Sequence, residues 1–491
     1  MTTVGELRMG TTAGRWVLFT TVLGSGLVMI DGTVVNVALE SIGSEFGAGF
    51  TALQWTVNAY TLTLASLILL GGSLGDRYGR RRVFLVGVVW FALASLLCGL
   101  APNVETLIAA RALQGVGGAL LTPGSLALIS ASFHGPDRAA AIGAWSGLGG
   151  IAGAVGPFLG GWLVEWTWRA VFLINLPLAA LIVVVALRHV PETRDPDSAP
   201  GLDVSGTALA VVGLGALTYA LTGLAEAGPT PALVVGLVVG VLALVAFVVV
   251  ERRSRHPLVP PALFASRTFS AANAVTLLIY GALGVVFFLL VLHLQTVAGF
   301  SPLAAGTSLL PVTAIMLVFS ARAGALAGRI GPRIPLTVGP LVSACGLLLM
   351  LRIGADATWV LHVLPAVLVF GAGLALTVAP LTATVLDAAP DRYAGSASGV
   401  NNAVARAAGL LAVAVIPGLA GIGGADYTDP AAFGSGFRTA MTIGAGLLVA
   451  ASVTAFALVR RPSAPAAPTA RVRIEECAHC GVTGPQVHPA R

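Results

Sequence analysis

The sequence predicts an all-α integral membrane protein with about 14 transmembrane helices, and three observations carry that prediction. First, the 491 residues are 56% hydrophobic and only 10% charged, with a mean hydropathy of +0.92. A soluble domain carries about 25% charged residues, so this chain has too little polar surface to cover itself in water. Second, its apolar runs are about twenty residues long, the length of a helix that crosses a bilayer. Membrane β-barrel strands would instead show segments of roughly ten residues with alternating polarity. Third, the charges gather between the runs.

The runs cover 16–39, 54–74, 83–101, 105–129, 139–163, 168–187, 204–224, 231–250, 269–292, 303–325, 334–351, 359–380, 394–418 and 437–459. Those at 139–163 and 394–418 are Gly/Ala-rich rather than Leu-rich. The 61 glycines suit helices that pack closely in lipid. The first run is too long for the apolar region of a secretory signal and lacks a small-residue cleavage site, so none is expected. All 27 basic residues are Arg. With the N-terminus inside, 22 fall in loops on the side of the termini. Three (Arg169, Arg352, Arg438) fall on the other side, and Arg111 and Arg406 lie within runs. Cytoplasmic loops are enriched in Arg and Lys, so both termini are expected in the cytoplasm and the number of spans is even. The all-Arg, Ala/Gly/Val-rich usage suggests a GC-rich bacterial genome, hence the bacterial cytoplasmic (inner) membrane.

The chain repeats itself. Gly72-Ser-Leu-Gly-Asp76-Arg77-Tyr-Gly79-Arg80-Arg81 recurs as Gly324-Ala-Leu-Ala-Gly328-Arg329-Ile-Gly331-Pro-Arg333, and Asp137-Arg138 recurs as Asp391-Arg392. The expected organisation is an N-terminal six-helix half at 1–190 and a linker carrying two inserted helices at 191–267. A C-terminal six-helix half at 268–460 and a disordered cytoplasmic tail at 461–491 complete it. Two similar halves around a midplane site form a transporter architecture.

Four stretches hold residues that lipid alone would not favour. The loop Gly72 to Arg82 combines a tight turn with an acid and several bases able to pair across helix ends, and so to latch one conformation. In the fourth run, Arg111 and Gln114 lie in a membrane helix, where an Arg requires a partner or water. In the fifth, Gly143, Ala152, Gly156, Pro157, Gly160 and Gly161 form a stripe of small residues around a helix-bending proline. In the first, Asp31 is followed by Thr33 and Asn36. A carboxylate buried there is costly when ionised and tends to take up a proton.

Together these stretches resemble the major facilitator superfamily, specifically its fourteen-helix drug:proton antiporter family of the multidrug and antibiotic efflux type, over roughly residues 15–460. The resemblance implies a conformational latch at Gly72, Asp76, Arg77, Gly79, Arg80 and Arg81. It also implies an antiporter motif at Gly143, Gly156, Pro157, Gly160 and Gly161, a pattern that goes with exporters rather than symporters. Proton coupling would involve Asp31, Arg111 and Arg406, the last matching an Arg often found on that helix in the family. The sequence departs from the family pattern at Ala152, at Glu40 (where Pro is usual) and at Gly328, which stands where the first loop has Asp76.

Asp31, Arg111 and Arg406 are expected to form a charge-neutralising cluster. Asn36, Gln54, Trp55, Asn58, Tyr60, Gln114, Asn401 and Asn402 are candidates to line the substrate cavity. Cys98 and Cys345, inside apolar runs, read as packing residues. Cys477-Ala-His479-Cys480 with His488 has zinc-ligand types, but a single CxxC is too weak to assign a metal. With no GxxxxGK[ST] loop and no catalytic constellation, neither an ATP-driven pump nor an enzyme is expected. No cofactor and no nucleic-acid partner are expected. The expected function is alternating-access export of small amphipathic or cationic molecules, driven by the proton gradient and performed by a monomer in contact with lipid. The alternatives are a proton-coupled symporter and a non-transporting membrane sensor.

Overall fold

The computed structural model describes residues 8–194, 201–254, 257–390, 393–424 and 426–459. Among these, 14 helices are long and apolar enough to span a membrane. They are α1 Thr12–Phe46, α2 Phe50–Tyr78, α3 Arg80–Gly99, α4 Val104–Ser132, α5 Ala140–Val164, α6 Ala170–His189 and α7 Val204–Ala227. Then follow α8 Pro231–Arg253, α9 Arg267–Thr296, α10 Pro302–Ile330, α11 Arg333–Met350, α12 Trp359–Asp387, α13 Gly395–Leu419 and α14 Pro430–Leu458. Asp391-Arg392, Cys477, His479, Cys480, His488 and the rest of the tail lie outside the described residues.

The helices outrun the apolar segments that announce them, because their ends are set by capping groups rather than by hydropathy. Thr11 caps α1 through Gly14 N–H, Asn103 caps α4 through Thr106 N–H, and Ser266 caps α9 through Phe269 N–H. Such side-chain caps satisfy backbone donors that have no partner inside the helix. Helix α1 stops at Gly47, whose φ of 59° favours glycine. Both copies of the repeated loop turn at a glycine of positive φ, Gly79 (111°) between α2 and α3 and Gly331 (84°) between α10 and α11.

The helices before and after the α7–α8 pair meet along three seams: α1 with α9, α2 with α13, and α5 with α10. Helix α7 lies against α2 and α13 and is covered by α8. Gly213 and Gly240 admit Leu244 and Leu217 into that contact. The far side of α8 exposes Val234, Val235, Val238, Leu242 and Val245, as a lipid-facing helix should. Cys98 is buried, but Cys345, expected to pack, is exposed on α11. Apolar character alone does not distinguish an inward face from a lipid-facing one.

Contacts between the two sets of six helices concentrate on the face opposite the termini. There Phe50 packs against Phe288, Tyr427 and Phe433. Tyr427 donates to the Ala48 carbonyl at 2.6 Å. Burial first, and the Glu40 carboxylate second, push the Tyr427 phenol above its ordinary pKa, so it stays a donor. Gln295 donates to Val37 O and Gln54 to Val413 O. A side chain at Gly161 would meet the Leu303 backbone, 2.6 Å from its Cβ. Toward the terminal face α5 and α10 carry glycines with open space around them, at 143, 147 and 328. Leu148, Ile151, Val155, Leu317 and Val318 are exposed along the same stretch.

The Gly161–Leu303 approach therefore seals the α5/α10 seam at one end. Gly161→Val should pry that end apart. Spin labels at the exposed Trp166 and Ser301 would report a longer, broader distance distribution; an unchanged distribution would contradict this role.

Candidate functional site

Asp31 and Arg111 meet in the interior of the first six helices. Asp31 Oδ2 accepts from Arg111 Nη1 at 2.5 Å, and the side chains are 0% and 1% exposed. An ion pair this deep must satisfy its remaining hydrogen-bonding capacity with protein groups. Asp31 Oδ1 accepts from Gln114 Nε2 at 2.8 Å and from Asn175 Nδ2 at 3.0 Å. Ser95 Oγ accepts from the same two amides. Arg111 also donates to Gln114 Oε1 and to the Thr56 carbonyl, and its guanidinium lies 4.2 Å from the Tyr60 ring centroid. Helices α1, α2, α3, α4 and α6 are thus joined at one carboxylate.

Of the three charges expected to cluster, two do. Arg406 on α13 is half-buried, makes no ion pair among the described residues, and donates from Nε to Asn402 at 3.3 Å. The correction is geometric: Arg406 belongs to the second set of six helices, and Asp31 turns away from them toward α4 and α6. Asn175 and Ser95 were missed. Their signal was weak, since an isolated Asn or Ser in an apolar run is common in membrane helices.

On the other side of α1 lies a cavity of about 790 Å³. Its wall includes Met29, Thr33 and Asn36 from α1, Gly147, Gly153 and Pro157 from α5, and Phe287 and Val291 from α9. It is completed by Leu309 to Ala321 of α10 and Val378 to Leu386 of α12. Three turns of chain chemistry shape the α5 wall. Pro157 has no N–H, so the Gly153 carbonyl one turn earlier lacks its helical partner. Thr33 Oγ1, which lies 3.0 Å from the Met29 and Ile30 carbonyls of its own helix, also comes within 3.4 Å of that carbonyl. Gly156 and Gly160 bring α5 onto Thr33 and Val34 of α1, and Gly161 brings its end onto α10. Gly143 is exposed and meets nothing, so this member of the stripe does not mediate packing.

Of the cavity candidates, only Asn36 lines this space. Gln54 is spent on the α2/α13 seam, and Trp55 is half-buried on α2. Asn58 is fully buried, and its Nδ2 and Oδ1 have no partner among the described residues. Tyr60 and Gln114 serve Arg111. Asn401 donates to Asn273 and Thr276 of α9, and Asn402 is exposed beside Arg406. The reason is shared: α2 and α13 face each other and α7, leaving the cavity wall to α1, α5, α9, α10 and α12.

The latch residues pair with one another and with the first residues of the linker. Asp76 binds Arg80 at 2.8 Å, and Arg81 and Arg82 each approach Glu192 at 3.8 Å. Arg81 N–H donates to Glu192, and its Nη1 donates to Val190 O. The Glu192 carboxylate fills the space that a Cβ on Gly79 would occupy. Gly72 sits beside Pro123, and Arg77 lies over Tyr78. Glu192 was read only as part of a linker; nothing in the sequence tied it to a loop more than a hundred residues away. In the second copy, Arg333 stacks on Phe456 and donates to its carbonyl. Neither Arg329 nor Arg333 has a carboxylate partner among the described residues.

The family model described as Major Facilitator Superfamily matches residues 21–414. The puromycin resistance protein pur8 of Streptomyces alboniger is 37% identical over 458 residues, covering 90% of this chain and 91% of that protein. The cephamycin export protein CmcT of Amycolatopsis lactamdurans is 38% identical over 405 residues, covering 81% and 83%. Among solved structures, a POT family transporter in complex with 5-aminolevulinic acid aligns with a TM-score of 0.70 at 14% identity, covering 93% and 100%. A bacterial homologue of the human lysosomal transporter Spinster aligns at 0.64 and 18%, covering 91% and 97%. These structural likenesses are of fold alone.

Removing one member of a buried pair strands the other. Arg111→Leu should therefore destabilise the protein by about 3–5 kcal/mol. Adding Asp31→Leu should recover a substantial part of that loss. Thermal unfolding of the single and double variants in detergent measures the coupling, and simple additivity would show that the pair carries no such linkage.

Proposed function

Given that the chain belongs to the major facilitator superfamily, we propose that it exports amphipathic small molecules, antibiotics among them, from the bacterial cytoplasm in exchange for protons. The observation that carries the reading is the two-sided use of α1. One side holds Asp31 against Arg111; the other presents Met29, Thr33 and Asn36 to a cavity between the two sets of six helices. A change in charge at Asp31 therefore acts on the helix that also forms the cavity wall.

In this reading both termini are cytoplasmic, which the Arg distribution supports. The cavity then opens toward the cytoplasm and the inner leaflet through the α5/α10 gap, and the Phe50 and Gly161 contacts form the outer seal. Proton uptake at Asp31 removes the counter-charge of Arg111. The guanidinium keeps Gln114, the Thr56 carbonyl and the Tyr60 ring, so a neutralised Asp31 frees α1 to move while Arg111 stays solvated by protein. Movement of α1 carries Thr33 and, through Gly156 and Gly160, the closely packed α5. Substrate and proton thus exchange by alternating access. The Gly72–Arg81 loop acts as a latch whose charges are here paired by Asp76–Arg80 and by Glu192 of the linker. A membrane potential of 100 mV supplies about 2.3 kcal/mol per charge moved, enough for a roughly fifty-fold gradient at full coupling. The relatives' names support export over uptake, since each is described as a resistance or export protein. One polypeptide holds both the cavity and the charge pair, so a monomer suffices.

In proteoliposomes with an imposed pH gradient, the wild type should move puromycin against its gradient as protons move with theirs. Asp31→Asn should abolish that coupling while leaving ligand binding measurable. Movement of puromycin in the same direction as the protons would replace antiport with symport, and unimpaired coupling in Asp31→Asn would remove Asp31 as the proton carrier.

A further inference from the structure

We infer that the cavity selects neutral amphipathic molecules bearing hydrogen-bonding groups and discriminates against permanent cations, with Asn36 and Ser320 as specificity-determining residues. The use of the cavity rests on the export reading above; the charge selectivity rests on its walls.

Among the described residues, no Asp, Glu, Arg or His lines the cavity. The acid nearest in sequence, Asp31, lies two residues from both Met29 and Thr33, which do line it. Successive helical residues turn by about 100°, so two residues carry the side chain to the far side of α1. There Asp31 is 0% exposed and held by Arg111, Gln114 and Asn175. It already has a counter-ion and offers none to a ligand. An ammonium ion entering the cavity would lose its water and find no anion, and an uncompensated charge in an apolar enclosure is strongly disfavoured. A volume of about 790 Å³ suits a drug-sized ligand.

Two wall atoms say what else the ligand needs. Among the described residues, Asn36 is only 8% exposed and its Oδ1 has no hydrogen-bond partner. Ser320 Oγ, on α10, is also buried without a partner. Buried polar groups without partners are uncommon in folded proteins; both residues line the α1 and α10 walls of one cavity, with these oxygens turned away from the open space. A lipid acyl chain would fill the apolar space but leave both unsatisfied. Rotation of each side chain toward the open space would let a ligand hydroxyl or amide group satisfy them, and Asn36 and Ser320 would reward only ligands that place such a group within reach.

The test measures binding to the purified full-length protein in detergent without a gradient, so it is independent of transport. Three probes share one ring system: methyl-stilbene, hydroxymethyl-stilbene and trimethylammoniomethyl-stilbene. The hydroxymethyl probe should bind most tightly, and the ammonium probe at least about ten-fold more weakly. Asn36→Leu and Ser320→Ala should each weaken the hydroxymethyl probe by about five-fold to ten-fold without weakening the methyl probe. Ser320→Ala removes a single oxygen, so it tests the idea even if Asn36→Leu fails to fold. Ammonium binding as tight as that of the hydroxymethyl probe overturns the charge selectivity. Equal binding of the methyl and hydroxymethyl probes marks a purely apolar or lipid site and also overturns the proposal. Selective binding combined with uncoupled transport would instead sink the export reading and leave the selectivity standing.

Discussion

A charge inside a membrane protein must be neutralised within the protein, and the Asp31–Arg111 pair meets that constraint by recruiting five helices. Gln114, Asn175 and the Thr56 carbonyl supply further hydrogen bonds to the pair, with Ser95 bridging the two amides. The result is a polar node within an otherwise apolar core. It sets how α1 rotates about its own axis, because Asp31 can face only the node. That rotation in turn decides which α1 residues look into the cavity.

The second constraint is close approach of backbones. Lipid offers no hydrophobic reason for helices to associate, so contact depends on shape and small residues. Gly156 and Gly160 place α5 on α1, and Gly161 and Gly306 place it on α10. A rotation of α1 cannot stay local, since Thr33 touches the very segment where Pro157 leaves a carbonyl unpaired in its own helix. The polar node and the cavity are thus on opposite sides of one helix, and α5 connects that helix to the other half. The α7–α8 pair stands outside this chain of contacts, against the α2/α13 seam.

The node also explains why the cavity is so apolar. The one buried acid of α1 is committed elsewhere, and Gln54 of α2 and Asn401 of α13 are used in seams between helices. What remains for the cavity wall is chiefly Met, Phe, Val and Leu, with a few hydroxyls and Asn36. An antiporter with this arrangement would couple its proton to its cargo through helix movement and not through direct competition for one carboxylate.

The sequence by itself determined the helices, their number and the chemistry of the unusual residues. Apolar runs of bilayer length, Arg between them and capping groups at their ends are local properties, and local properties survive translation into structure. It also singled out Asp31, Arg111 and Gln114, because polar groups in lipid-length helices stand out against their surroundings. Tertiary structure alone decided which polar residues meet. Asn175 and Ser95 joined the node, Arg406 did not, and Glu192 reached back to the Gly79 turn. Sequence separation says nothing of such distances, because the facing of each helix is set by its neighbours. The cavity was the least legible part. Its walls are mostly residues that would look the same facing lipid, so only the packing of α5, α9, α10 and α12 around α1 distinguishes a binding surface from a membrane-facing one.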